Sequence, residues 1–448
     1  MMAIRPQSSL STEMLLLRVR ETFQSITDSR QTVKSQISVS DALMSGLAVF
    51  ALKFPSLLKF DEQRQEEHIR HNLQHLYGIQ QVPCDTQMRE IADPVEPTGL
   101  HPAFHALFQS VKEAQRLEPF RFLKHGFLVS IDGTGQFSSS SICCPDCATK
   151  TSRNGETLYY HQLLAAVIVH PDLKQVLPLI PEPILGGDGD TKNDCEQVAV
   201  KRLLKRLRED YPTLPLTIVE DALFAKGPHL KLLKELNLLY IIGVKEGDHA
   251  HLFEAVKIHE DNETMDGLIK QDDTKKRTMI YRFVNGLELN KSHPDLKVNY
   301  LEYVEVENDR ICCRFTWVTD ITITENNCIE LVRGGRSRWK IENETFNTLK
   351  NQGYRLEHNY GHGKQHLSTN FALLMLLAFL IDQIQELACI PFQKARQRFR
   401  SRTSLWEQMR ALFVGYLIDD WNTFWQAIIN GHRASRLQPK NMAFCNTS

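Results

Sequence analysis

The chain has no surplus of charge of either sign. Its 53 lysines and arginines against 54 aspartates and glutamates leave a formal charge of −1, which excludes a whole-molecule field as the source of affinity for a polyanion or a membrane surface. Any hold on nucleic acid has to come from local basic patches. Long apolar runs are missing as well. The longest, Phe371 to Ile381, falls short of the ~20 residues that span a bilayer and reads as a buried helix. No charged segment followed by an apolar run and a small-residue cleavage site opens the chain, so a cytoplasmic protein with no membrane partner is expected. Internal repeats and low-complexity tracts are also lacking. The ten cysteines are scattered along the chain, which favours thiols or a metal site over a disulfide framework.

The 448 residues are 42% hydrophobic, enough to build a sizeable core in two or three domains. Residues 1–115 read as mostly helical, with Ser38 as a helix start before the apolar run Ala42 to Leu52. Pro94, Pro97 and Pro102 predict a break and a linker. From Phe127 the texture changes. Phe127 to Ile131 forms a short apolar strand ending at Asp132-Gly133, and Leu216 to Val219 forms another ending at Glu220-Asp221. The β-rich stretches Tyr159 to His170, Val176 to Ile184 and Leu239 to Gly243 alternate with helical ones, Asp194 to Asp210 being the strongest. The fold class is therefore α/β, with a sheet covered by helices. Between 244 and 320 the segments Ile280 to Val284, Leu301 to Glu305 and Ile311 to Val318 alternate like antiparallel strands with one wet face. Helices return from about Thr324.

Three carboxylates suggest chemistry. Asp132 and Asp221 each follow a strand, and ligand sites in open α/β sheets lie beyond strand ends. The third sits in Arg336-Ser-Arg-Trp-Lys-Ile-Glu-Asn-Glu-Thr-Phe-Asn-Thr-Leu-Lys350, where Glu342 and Glu344 lie among basic residues. At about 100° per helical residue, Arg338, Glu342, Phe346 and Leu349 share a face and Glu344 points away. Carboxylate oxygens can hold two hard divalent cations against a phosphodiester while cations hold the strand. The bland readings are an aspartate that caps a turn and an ordinary i,i+4 ion pair between Arg338 and Glu342.

Asp132, Asp221 and Glu342 resemble the catalytic triad of DDE transposases. The Glu segment is similar to that of bacterial cut-and-paste insertion-sequence transposases, whose signature is Tyr-x2-Arg-x3-Glu-x6-Lys. Arg338-x3-Glu342 fits that spacing. The tyrosine position falls on Gly335, and the lysine position falls on Leu349, one place before Lys350. Other anchors are Val129-Ser-Ile-Asp132-Gly133 and Ile218-Val-Glu-Asp221-Ala-Leu-Phe224. The resemblance spans roughly residues 120 to 385.

It implies a ribonuclease-H-like catalytic core with an inserted mainly-β subdomain and helical N- and C-terminal regions. The expected divisions are 1–115, a helical region and candidate for DNA-end binding; 120–243, the first part of the core; 244–320, the β-rich insertion; 321–390, the second part with the Glu helix; and 391–448, a helical C-terminal region. It implies magnesium, with manganese as a substitute and two ions in the site, bound by Asp132, Asp221 and Glu342. Double-stranded DNA would be the partner, both element ends and target, and a homodimer would pair the ends. Arg336, Arg338, Lys350 and Lys364 would contact DNA. The alternatives are a ribonuclease-H-like nuclease that cuts without joining and a domesticated, inactive DNA-binding protein.

Weaker features complete the reading. Cys143-Cys-Pro-Asp-Cys147 contains a CxxC that suits half of a structural zinc site, with Cys195, Cys312, Cys313, Cys328 or His161 as sources of the other half. The loop His358 to Lys364 is small, polar and basic. Two basic runs, Lys201 to Arg208 and Lys394 to Arg402, would suit phosphate tracks if they are not simply solvated faces. Trp339 would suit stacking on a base, while Trp317 reads as core.

Overall fold

The computed structural model describes residues 10–30, 36–431 and 438–439, except 125, 145, 153, 190, 191, 273 and 275 and the side chains of 192–194. Parts of the expected terminal regions, 1–9, 31–35, 432–437 and 440–448, lie outside the described residues. Among the described residues, eleven strands form one mixed sheet. They are β1 Phe127–Ser139, β2 Ala148–Thr151, β3 Thr157–Val169, β4 Leu177–Pro178, β5 Glu182–Ile184, β6 Leu216–Glu220, β7 Leu239–Gly243, β8 Asp266–Asp272, β9 Arg277–Glu288, β10 Lys297–Glu307 and β11 Arg310–Thr319. Their order is β2-β3-β1-β6-β7-β11-β10-β9-β8, with β4 and β5 on β3.

The centre is parallel: β1 pairs with β6 from Phe127↔Leu216 to Ser130↔Val219, and β6 pairs with β7. These strands are apolar on both faces, as a sheet covered on both sides requires, and Leu128, Val129, Ile218, Val219, Ile241 and Ile242 are fully buried. Antiparallel β3 flanks them on one side. This α/β architecture with a central mixed sheet agrees with a ribonuclease-H-like order of strands. The segment after β7 is more than a β-insertion. It begins with a helix, Ala250–Asp261, and its meander joins the central sheet directly, β11 lying antiparallel on β7 with Trp317 opposite Gly243.

Helices from the N-terminal region and the helix Ile390–Arg398 pack around the long helix Leu367–Ala388, while Lys192–Asp210, Ala250–Asp261 and Cys328–Arg336 lie on the sheet. Leu367–Ala388 is longer than the apolar run predicts. It is long and apolar enough to cross a membrane, yet 94% of its most apolar stretch is buried in the fold. Its buried Asp382 holds the buried Lys53 at 2.7 Å, and the ammonium lies 4.1 Å from the Tyr354 ring centre. A lone charge would be costly there; the pair offsets part of that cost, while burial still pushes the Lys53 ammonium down and the Asp382 carboxyl up. The N-terminal and C-terminal helices meet as well: Asn72 donates to Phe413 O and Tyr416 O, and Trp425 Nε1 donates to Thr12. Ser38 caps helix Val39–Ala51 by accepting from Asp41 N.

The proline-rich stretch does not form a linker. Pro97 opens a 3-10 turn, Pro102 sits in the first turn of helix His101–Glu113, and Val95, Leu100, Ala103 and Phe104 are buried. Proline at a helix start gives up an N–H that has no partner there, so these residues begin a packed element. The basic runs also resolve differently from phosphate tracks. Arg202 holds Glu182 and Asp188, Arg206 holds Glu182, and Arg208 donates to the carbonyls of Tyr211, Leu214 and Leu236. In the second run Arg398 donates to Ile428 O and Arg402 to Glu386. Guanidinium forks tie off carbonyls and carboxylates, and here they spend their donors inside the fold.

Candidate active site

Asp132 does not end its strand. β1 runs on to Ser139 through its antiparallel pairing with β3, where Asp132 faces Ala165. Only the parallel ladder stops, at Ser130↔Val219. Carrying that register two residues further sets Asp132 beside Asp221, about one strand spacing away. Asp221 leaves β6 as the cap of a 3-10 turn, its Oδ1 accepting from Leu223 N at 2.9 Å. Asp132 Oδ1 accepts from Gly133 N at 2.8 Å. Both carboxylates thus have one oxygen fixed by backbone.

The third carboxylate arrives from far along the chain. Helix Cys328–Arg336 ends at Ser337, and the next helical segment, Ile341–Phe346, is wound as a π-helix. Ser130 on β1 donates to Arg338 O at 3.1 Å, pinning this junction to the sheet. The Arg338 guanidinium then spans two carboxylates: 3.2 Å to Asp132 Oδ2 and 2.8 Å to Glu342 Oε1. Glu344 turns the other way, where its charge acts on Lys340 and Arg402. Of the two glutamates, Glu342 is the one that shares Arg338 with Asp132.

The π-turn changes the reading of the helical wheel. Asn347 N donates to Glu342 O, five residues back, so this turn takes up one residue more than an α-turn. Leu349 is buried at 1% exposure, and Lys350 emerges to pair with Glu357 at 2.8 Å. With one extra residue in the turn, Leu349 faces the core and Lys350 faces outward. The missing tyrosine has a steric explanation. A Cβ on Gly335 would lie 2.6 Å from Trp317 Nε1, so the indole from β11 fills the space a side chain there would need.

Electrostatically the three acids belong together. Burial, above all, pushes the Asp132 carboxyl up to about 6; Arg338 and the Gly133 N–H oppose the rise, and Glu342 and Asp221 add repulsion. Burial outweighs the Arg338 charge at Asp132, and three carboxylates around one guanidinium leave oxygen donors that suit hard cations. Asp132, Asp221 and Glu342 offer that donor set. Beside them lies a cleft of about 370 Å³, lined by Asp221, Phe253, Arg314, Arg336, Arg338 and Trp339 among others.

A family model described as the transposase DDE domain matches residues 148–380. The chain belongs to that family. It is a DDE-type transposase, and the family implies action on DNA with a divalent metal. The matched stretch contains Asp221 and Glu342 and begins downstream of Asp132. No curated protein matches the chain.

The remaining predicted residues of the transposase are spread out. Arg336 stands at the cleft with its guanidinium 5.4 Å from the Phe315 ring centre and 5.5 Å from that of Tyr303. Trp339 is 48% exposed, next to the Arg338 guanidinium, whereas Trp317 is buried. Lys364 is exposed in the loop before the long helix, and its backbone N–H donates to Asp93. Sequence reasoning missed Arg314, which Glu302 orients at 2.5 Å, and the buried Glu220–His229 pair at 2.7 Å behind Asp221. Glu220 precedes Asp221 at a strand end, but nothing in the sequence marks His229 as its partner.

Proposed function

We propose that this transposase cleaves and joins the ends of its DNA element by metal-dependent phosphodiester hydrolysis and strand transfer. Asp132, Asp221 and Glu342 would be its metal-binding carboxylates. The observation that carries this is the single guanidinium of Arg338 bound to both Asp132 and Glu342, residues 210 positions apart in sequence. It supports a reading of the three acids as one site.

The carboxylates would hold magnesium, or manganese in its place, as a pair of ions that activates the attacking oxygen and stabilises the leaving one. Asp132 and Asp221 present a fixed oxygen each, so little reorganisation accompanies binding. Arg338 keeps positive charge where phosphate oxygens would sit. Arg336 at the cleft, Lys350 beyond the π-turn and Lys364 in the following loop would extend the phosphate contacts, with double-stranded DNA as element end and as target. Pairing two ends in one reaction requires at least two protomers, so a homodimer on DNA is part of the proposal. The N-terminal helices are the candidate end-binding region.

The test is excision in vitro, using the gene's own flanking DNA, purified protein and Mn²⁺. Release of the flanked segment that is lost in Glu342→Gln and kept in Glu344→Gln supports the reading. Loss in Glu344→Gln alone would move the third carboxylate by two residues. Cutting without joining would identify a ribonuclease-H-like nuclease, and specific end binding without any cutting would identify a domesticated DNA-binding protein.

A further inference from the structure

Far from the three acids in chemical character, four soft donors converge. Cys144 and Cys147 lie in the turn between β1 and β2, His161 is on β3, and His362 comes from the loop after the Glu342 helix. Their ligand atoms all lie within 4.8 Å of one another. The Sγ atoms are 3.6 Å apart, His161 Nε2 is 3.2 Å from Cys144 Sγ and 3.4 Å from Cys147 Sγ, and His362 Nδ1 is 3.4 Å from Cys147 Sγ.

These four separations lie close to the edges of a tetrahedron around a metal, the 3.2 Å one slightly short of it. Zinc bonds to sulfur at about 2.3 Å and to imidazole nitrogen at about 2.0–2.1 Å, which at tetrahedral angles sets donor atoms about 3.3–3.8 Å apart. Hydrogen bonding alone explains the cluster poorly. One imidazole nitrogen carries either one proton or one lone pair, yet His161 Nε2 sits within reach of both sulfurs. A disulfide does not explain it either, since both cysteines are free thiols and a bonded pair of sulfurs would lie about 2.05 Å apart.

The backbone around the fourth donor is built to present it. His362 stands between Gly361 at φ +126° and Gly363 at φ +72°, conformations that favour glycine. A Cβ on Gly363 would collide with Asp93 Oδ1 at 2.1 Å. Asp93 fastens the loop by accepting from the backbone N–H groups of Lys364, Gln365 and Leu367. The Phe137 ring covers His362 edge-on at 4.3 Å, and the two histidines are only 7% and 4% exposed. Four protein donors, the histidines buried and the cysteines half-buried, describe a structural site with no position left for substrate.

We propose that Cys144, Cys147, His161 and His362 bind one structural zinc ion. It would clasp the β1–β3 hairpin, which carries Asp132, to the loop that follows the Glu342 helix. The ion would therefore act as a positioning element for the acids and would not take part in the reaction. Ser368, which donates to Gln136 on β1 at 2.9 Å, marks a protein contact along the same seam.

The proposal does not rest on the transposase chemistry, and its test needs no DNA. Full-length protein purified from zinc-supplemented cells without chelator should carry one zinc per chain by elemental analysis. Cys144→Ser and His362→Ala should each lose it, while Cys143→Ser and Cys313→Ser should keep it. Cobalt exchanged into the wild type should show the intense visible bands and sulfur charge-transfer absorption of a tetrahedral Cys₂His₂ site. That spectrum decides the matter even if the ligand variants fail to fold. Chelation should also expose two further thiols to a disulfide reagent. Wild-type protein with no more zinc than Cys144→Ser, or cobalt protein without the sulfur band, would overturn the proposal.

Discussion

Among the described residues, two groups of possible metal ligands differ in nearly every physical respect. Asp132 and Asp221 are oxygen donors just past the end of a parallel ladder and Glu342 comes from the π-wound segment, all beside an open cleft, with the Arg338 guanidinium bound to Asp132 and Glu342. Cys144, Cys147, His161 and His362 are sulfur and nitrogen donors, with Phe137 against His362 and that histidine set between two glycines at positive φ. Both join β1 or its hairpin to the segment around the Glu342 helix. The first gathers repelling charges and stays open, as a site that must admit a substrate has to. The second brings four soft donors within 4.8 Å of one another, as the proposed fastening requires.

The comparison breaks most visibly on stability. Cys144→Ser in zinc-loaded protein is expected to cost on the order of several kcal/mol by denaturant unfolding, whereas Glu342→Gln should leave unfolding almost unchanged. Equal effects in the two variants would erase the distinction. For activity the order reverses. Glu342→Gln should lower metal-dependent cutting on the order of a hundredfold or more, since even supporting groups around a metal carry about 10- to 100-fold. Glu344→Gln should remain within a few-fold of wild type in the same assay.

Acidity sharpens the contrast. With the Asp132 carboxyl pushed up to about 6, a proton competes with a metal there, so cutting should fall about tenfold per pH unit below that value. A pH–rate profile flat down to pH 5 would contradict it. Gly335→Ala tests the packing behind the cleft. Its methyl would meet Trp317 Nε1 at 2.6 Å, and the expected cost is about 1–3 kcal/mol, read by denaturant unfolding followed through tryptophan fluorescence.

The smallest effect is a gain. An acid whose folded pKa lies above its ordinary 3.8 makes the folded state bind extra protons between the two values. Stability then falls as pH rises from about 4 to about 6, and the loss is complete above that window. Asp132→Asn removes this cost, so at neutral pH it should stabilise the fold by on the order of 1 kcal/mol while abolishing cutting. Destabilisation at neutral pH and no change at pH 4 would show that Asp132 is instead a structural ion-pair partner of Arg338.

Much of this was legible because it is local. Apolar runs gave the central strands, Ser38 gave its helix start, and the Arg338–Glu342 pairing needed only i,i+4 spacing. The π-turn was not legible. It spans Ile341–Phe346 and closes with a hydrogen bond from Asn347 N to Glu342 O, and an α-helical wheel drawn over it leaves out the extra residue. The basic runs misled because a guanidinium's partner is chosen by tertiary packing: Arg202 finds Glu182 and Asp188, and Arg402 finds Glu386.

The sequence by itself marked the apolar segments that lead to the first two acids, the helical segment that carries the third, the α/β class and the CxxC half-site, all set by hydrophobic period and short spacing, but it stopped β1 at Asp132, where the strand runs on to Ser139. Only the tertiary structure decided that Glu342 and not Glu344 shares Arg338 with Asp132, and that His161 and His362 complete the sulfur pair. Those choices join residues up to about 218 positions apart, and no local pattern reaches that far. They are made when β1, the sheet it belongs to and the helix after β11 bury their apolar faces together, because that packing alone fixes which side chains meet.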